Sequence, residues 1–101
     1  MTQEEKEKLH TQHSEAVDQI LETVQKIKGD AYVTRLMVVY ATILIARIGH
    51  VNGLPTAHLG ANGVQCAFKS WGIENTPEAL DLTRDAAALV VQSLNGIANA
   101  S

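Results

Sequence analysis

The longest hydrophobic segment of the chain runs from Ala31 to His50, and Arg35 and Arg47 are its only formally charged residues. Its many β-branched residues would suit a buried strand, but an unbroken apolar run of this length favours a helix. Large aliphatic side chains cover most sides of that helix, which we place at residues 31–49 with Asp30 as its N-cap. We therefore expect the helix to be buried on most sides and to form the centre of the fold.

Amphipathic patterns at both ends of the chain predict the helices that pack against this segment. In residues 3–28 the apolar positions recur at helical spacing on one stripe, and Gly29 ends the pattern. A second amphipathic helix is predicted at residues 77–97, where Thr76 and Pro77 form a strong start signal. Its apolar positions cover about 200° of a helical projection, which is more than one neighbouring helix would bury.

The segment between the central helix and the last helix is rich in glycine. Residues 49–61 are punctuated by turn residues and are predicted to form a loop, with one short helical turn near Pro55–Leu59 as an alternative within it. Asn62 and Gln65 have the spacing of a capping box, so we expect a short helix at residues 63–71, ended by Gly72.

These patterns predict an all-α protein, a small helical bundle of three long helices and one short helix around the central hydrophobic helix. The length fits a single domain over residues 1–101. Residues 1–8 lack apolar anchors and are expected to fray. The central helix needs several neighbours, and the chain offers three others, one of them short. The surplus apolar surface predicts self-association, as a homodimer packed through the central helix or the last one.

Charge is unevenly distributed along the chain, which has a net charge of -3. Residues 31–73 contain no Asp or Glu, whereas both ends of the chain carry several. The acidic ends either neutralise the basic centre within the fold, or leave the centre to meet an anionic ligand or partner. The net negative charge argues against nucleic-acid binding, which needs a basic face.

The sequence favours a cytoplasmic location. The charged N-terminal segment MTQEEKEK is not a secretory signal. The uncharged run Leu36–Ala46 is shorter than the roughly 20 residues that a membrane-spanning helix needs. Cys66 is the only cysteine and cannot form an intramolecular disulfide, which fits a reducing compartment. We expect its thiol to be buried.

The sequence contains no convincing catalytic, cofactor or metal-binding motif. Glu7 and His10 have the Glu-x-x-His spacing of di-iron bundles, but no second motif of this kind accompanies them. His10 and His13 are more simply explained as residues of a helix–helix or subunit interface. The glycines lack the lysine of a P-loop, and one cysteine with one histidine is weak support for a catalytic dyad. We therefore predict a protein that is not an enzyme and that needs no metal or cofactor.

Seven residues are candidates for binding: Arg35, Tyr40, Arg47, His50, Asn52, His58 and Trp71. Arg47 projects from an apolar side near the end of the central helix. There it either interacts with the helix dipole and extends to water, or anchors an acidic group of a partner or ligand. The polar residues from His50 to His58 lie on the predicted loop, where functional residues concentrate. Trp71 either fills the core or is an interface hot spot.

The leading functional hypothesis is a noncatalytic interaction protein, an adaptor, regulator or inhibitor that binds itself and another protein. The alternative is a binder of a small anionic ligand or nucleotide in the region of Arg47 and residues 50–58. A helix-turn-helix at residues 49–71 is a weaker third hypothesis, because Lys69 would be the only cation of its recognition helix.

Overall fold

In the computed structural model, the described part of the chain folds into four α-helices and contains no strand. They are α1 (Gln3–Lys28), α2 (Asp30–Val51), α3 (Ala57–Trp71) and α4 (Pro77–Ala100). The structure describes the backbone of residues 2–100 and, within that range, all side chains except those of residues 6, 9–14 and 96–100. The all-α prediction is confirmed, and the bounds of α1, α2 and α4 lie within three residues of those predicted.

The predicted start of α3 is wrong, because the helix begins at Ala57 rather than at residue 63. Asn62 and Gln65 lie inside the helix and therefore do not form a capping box at its start. The glycine-rich composition of residues 49–61 favoured a loop, since glycine costs about 1 kcal/mol relative to alanine inside a helix. The tertiary contact with α2 outweighs this local preference.

Two glycines of α3 allow the helix to lie close against α2. A Cβ atom on Gly60 would come within 2.5 Å of the Ala46 Cβ, and one on Gly63 within 3.0 Å of the Thr42 Cγ2. The later residue of α3 meets the earlier residue of α2, so the two helices are antiparallel. The two glycines lower the helix propensity of α3, but they allow its backbone to pack closely against α2.

The helix junctions agree in part with the predicted caps. Gly29 separates α1 from α2 with a φ of 91°, a conformation that favours glycine. Asp30 is not an N-cap: it is the first residue of α2, and its carboxylate accepts a hydrogen bond from Gln25 Nε2 instead. At the start of α4, Thr76 Oγ1 accepts from the Ala79 backbone N–H at 3.3 Å, as predicted.

α2 and α4 run parallel to each other. Tyr32 donates to Asp85. Further along α2, Tyr40 is hydrogen-bonded to Ser93. Both contacts join residues with the same separation in sequence, so the two helices advance in the same direction. The chain reverses its direction between α2 and α3 and again between α3 and α4, so α4 runs in the direction of α2.

The molecule has the shape of a plate. α4 packs between α1 and α2, and α2 packs between α4 and α3, with a smaller contact between α1 and α2. The principal extents are 47 × 36 × 14 Å. The radius of gyration of 14.7 Å exceeds the value of about 12.7 Å expected for a compact chain of this length. The helices therefore have neighbours at their sides, and much of the area above and below them stays open.

The hydrophobic core lies where α2, α3 and α4 meet. The largest fully buried side chains are Leu36 and Val39 of α2 and Leu82 and Leu89 of α4. Phe68 joins them from α3. The contribution of α1 consists of partly buried side chains, which are Val17, Leu21 and Val24. The core is mostly aliphatic and contains no buried charged residue among the described side chains.

The expectation that α2 is buried on most sides is wrong. Its buried residues are Tyr32, Leu36, Val39 and Ala46, and all four lie on one side. On the opposite side Ile45 is 71% exposed, Met37 51% and Val38 42%. The reason is the flat arrangement, in which α3 and α4 flank α2 and, in the described part of the chain, no further layer of helices covers it.

By length and composition alone, α2 is also apolar enough to cross a membrane. The most apolar stretch of the helix is 22% buried within the fold. The core helix of a soluble protein meets the same criteria, so they do not by themselves place α2 in a membrane.

Candidate functional site

One candidate binding surface is the exposed side of α2, here called the outer face. It consists of seven residues, Thr34, Met37, Val38, Ala41, Leu44, Ile45 and Ile48. None carries a charge, and all lie opposite the buried side of the helix. Leu44 and Ile48 are half-buried, whereas the others are exposed. A continuous apolar strip of this kind is typical of a surface that meets another molecule.

A second candidate is a groove of about 640 Å³ between α3 and α4, here called the Arg47 groove. Ile43 and Arg47 of α2 line it, with Ala61 and Gln65 on the α3 side and Leu80 on the α4 side. Most of the lining is apolar, and Leu80 is 67% exposed. An apolar groove with a few polar groups is the usual form of a ligand or peptide site.

Arg47 is the only cation that lines this groove. Its side chain is exposed, and among the described side chains it pairs with no carboxylate. Glu74, in the loop before α4, also lines the groove and supplies the opposite charge. An exposed guanidinium costs little to leave unpaired, and it is available to a carboxylate or phosphate that enters the groove.

Arg35 and Trp71, two other predicted site residues, contact each other at the opposite end of α2. Arg35 Nη1 donates to both carboxylate oxygens of Glu78 at 3.1 Å. The guanidinium carbon also lies 5.5 Å from the centre of the Trp71 ring, a cation–π distance. Trp71 is half-buried and packs against Phe68, with ring centres 6.4 Å apart. These contacts join α2, α3 and α4, so both residues have a structural role here.

The two tyrosines of α2 are held by α4. Tyr40, a predicted binding residue, is hydrogen-bonded through its hydroxyl to Ser93. Tyr32 is buried and donates to Asp85, which also lies 3.8 Å from Lys28. Burial, followed by the hydrogen bond to Asp85 and the nearby carboxylates, raises the pKa of the Tyr32 hydroxyl well above its ordinary value. Tyr32 thus stays neutral and serves as a donor.

The remaining predicted site residues lie around the turn between α2 and α3. His50 and His58 are exposed, and neither lines the Arg47 groove. Asn52 has a local structural role, since its side-chain amide donates to the Ile48 carbonyl at 2.9 Å. Thr56 likewise ties the turn to α2 by donating to the Ala46 carbonyl at 2.6 Å. The structure therefore places Arg47 in the groove without the histidines that we grouped with it.

Cys66 is exposed, which contradicts the prediction of a buried thiol. The buried residues of α3 are Gly60, Val64 and Phe68, which repeat every four residues. Cys66 falls on the other side of the helix, so it faces solvent. The predicted interface roles of His10 and His13 lie outside the described side chains. Among the side chains that are described, no group of three or more His, Cys, Asp and Glu could hold a metal ion.

Sequence reasoning missed the outer face of α2 as a distinct surface, although the necessary signal is present. Thr34, Val38, Ala41, Ile45 and Ile48 follow one another at alternating intervals of four and three residues. This is the a/d spacing of a heptad. The uniformly apolar composition of the segment obscured it. Comparison with protein-family models, with described proteins and with solved structures finds no match to the chain.

Proposed function

We propose that the protein is a noncatalytic, cytoplasmic interaction protein, an adaptor, regulator or inhibitor that self-associates and binds another protein. The observation that supports this proposal is an excess of open surface. The accessible surface is 6591 Å², whereas a compact monomer of 10.9 kDa exposes about 5,600 Å². The difference of roughly 1,000 Å² is comparable to the area that each partner of a stable complex buries.

Much of the surplus surface is apolar. Among the described side chains, the large hydrophobic ones that remain exposed are Ile20, Ile27, Met37, Val38, Ile45, Val51, Leu54, Leu59, Leu80 and Val91. They come from every helix and from the turn between α2 and α3. Single exposed apolar residues are ordinary, but contiguous ones mark interaction sites. The outer face of α2 and the Arg47 groove are two places where exposed apolar residues adjoin other apolar residues.

For the partner protein we propose the Arg47 groove as the docking site. It is lined by three helices, so its shape depends on the whole fold rather than on one flexible segment. Leu80 offers an exposed apolar contact, and Arg47 offers a charged group beside it. Arginine is enriched among interface hot spots, and the exposed Leu80 side chain adds apolar area that a partner can bury.

Site-specific photo-crosslinking in the native host tests the partner proposal. A photoreactive amino acid replaces Ala61, which is exposed and lines the groove, and in a matched control it replaces Glu22 on α1. We expect one stoichiometric protein crosslinked at position 61, absent at position 22, and lost when Leu80→Asp is added. Identical crosslinks at both positions, or none at either, would contradict the proposal.

A second candidate function is the binding of a small anionic ligand in the same groove. The supporting observation is that Arg47 lines an apolar groove and is unpaired among the described side chains. Thermal-shift screening with nucleotides and organic acids tests it. A ligand at 100 times its dissociation constant stabilises the fold by about 2.7 kcal/mol. The stabilisation should disappear in Arg47→Gln, and equal melting temperatures across the library would contradict this function.

A further inference from the structure

We infer that the outer face of α2 is a self-association surface, which pairs with the same face of a second copy in a two-fold symmetric dimer. The inference rests on the homo-oligomeric part of the proposed function and specifies its surface. Three observations support it, which are the spacing of the residues, their lack of charge and the area that the fold leaves open.

The spacing fits helix–helix pairing. Thr34, Val38, Ala41, Ile45 and Ile48 form a straight strip on the open side of α2. At 1.5 Å per residue the strip is about 21 Å long, or two heptads. Ala41 lies at its middle, and a small residue there lets two helix axes approach to about 8–10 Å. The flanking Val38 and Ile45 are then placed to fill the spaces beside it.

The absence of charge favours a second copy over other partners. In a two-fold dimer each residue near the axis meets its own counterpart, so a charge near the axis would face a like charge. The outer face has none, because Arg35 and Arg47 project from other sides of α2. The other exposed apolar strip, on α4 around Leu80 and Val91, is less suited to such pairing because the charged side chain of Arg84 is exposed beside it.

The fold leaves more area open than a compact monomer does. The surface of the whole molecule exceeds the compact value by roughly 1,000 Å², of which the outer face is one part, and a standard interface buries ≈ 800 Å² per subunit. The plate, only 14 Å thick, offers a flat surface on which a second plate can lie. An anionic membrane is a poorer match, because the neighbouring α1 carries several exposed acids.

Disulfide trapping tests the pairing. Val38, Ala41 and Ile45 are replaced by cysteine one at a time in a Cys66→Ser background, which removes the exposed native thiol. We expect rapid oxidation to a covalent dimer for at least one of the three, because a disulfide requires Cα atoms about 4.4–6.8 Å apart. Ala88→Cys, at an exposed position on α4, is the matched control and should stay monomeric under the same oxidation.

Light scattering of the natural sequence and of Ile45→Glu separates the outcomes. We expect twice the monomer mass for the natural sequence and a helical monomer for the variant, whose altered side chain is exposed in the fold. A dimer that survives Ile45→Glu and gives no disulfide would overturn the inference and leave self-association intact. A monomer at every concentration would overturn both. Binding of the natural sequence, but not the variant, to vesicles of anionic phospholipid in place of dimerisation would assign the face to a membrane.

Discussion

Gly60 determines how closely α3 approaches α2. Since its added Cβ would lie 2.5 Å from the Ala46 Cβ, Gly60→Ala should force the two backbones apart. Overpacking costs about 1–3 kcal/mol, and the helix propensity of alanine returns about 1 kcal/mol. We expect a net destabilisation of roughly 1 kcal/mol, measured by urea unfolding.

The partner residue supplies the control for this prediction. Ala46→Gly should also destabilise the protein, since it removes a buried methyl group and a good helix former. In the double variant the methyl group is transferred from one helix to the other, so the clash is absent. The double variant should therefore be more stable than the sum of the two single effects predicts. Strict additivity would show that the two Cβ positions do not compete for the same space.

Tyr32 gives the fold a specific dependence on alkaline pH. Burial and the carboxylates around it raise its pKa in the folded state, so the folded protein retains this proton where the unfolded chain loses it. The contribution of Tyr32 to the free energy of unfolding is therefore fully present below the unfolded tyrosine pKa of about 10. It falls as pH rises beyond that value, by up to about 1.4 kcal/mol per pH unit.

Tyr32→Phe removes this titration and provides the measurement. At neutral pH the variant should be less stable, because Asp85 loses its donor. Above pH 10 the difference between the two proteins should shrink, since only the natural sequence loses the contribution of Tyr32. Parallel pH profiles of unfolding free energy would show that Tyr32 titrates equally in both states.

At the level of elements, the start of α4 depends on Thr76. Its hydroxyl accepts from the Ala79 N–H and donates to the Ile73 carbonyl, so it satisfies groups on both sides of the helix start. Thr76→Ala should destabilise the protein by about 1 kcal/mol. Thr76→Ser keeps the hydroxyl and should remain close to the natural sequence in thermal unfolding. Equal losses in both variants would assign the effect to the methyl group.

The element pattern also shows what sequence alone can and cannot determine. Three of the four helices were predictable because Gly29, Thr76 and Pro77 are local signals whose effect needs no distant contact. The start of α3 was not predictable from the sequence. Gly60 and Gly63 weaken the local preference for a helix, and the packing against α2 compensates for this loss.

The candidate site was less predictable than the fold for a related reason. Arg35 is an attractive ligand-binding residue in sequence, yet its carboxylate partner Glu78 lies 43 residues away. The exposure of Cys66 likewise depends on where α3 begins and on which of its sides packs. Arg47 was singled out as a charge on an apolar helix, but the groove beside it is formed by residues of three helices, which the sequence does not bring together.

At the level of the whole molecule, the plate makes stability and association parts of one equilibrium. A compact chain of this size buries enough surface to fold alone, whereas this chain leaves roughly 1,000 Å² more exposed. If a second copy covers that area, as we propose, unfolding of the dimer releases two chains. The melting temperature must then rise with protein concentration.

A hundredfold rise in concentration changes the free energy of the dimer by about 2.7 kcal/mol. At about 2–4 °C per kcal/mol for a unit of this combined size, the melting temperature should rise by roughly 5–10 °C. Ile45→Glu should melt at one temperature throughout, because its charge on the outer face prevents pairing while the exposed position leaves the core intact. A natural sequence that also melts independently of concentration would show that the plate is stable alone, and that its open area serves a partner of a different kind.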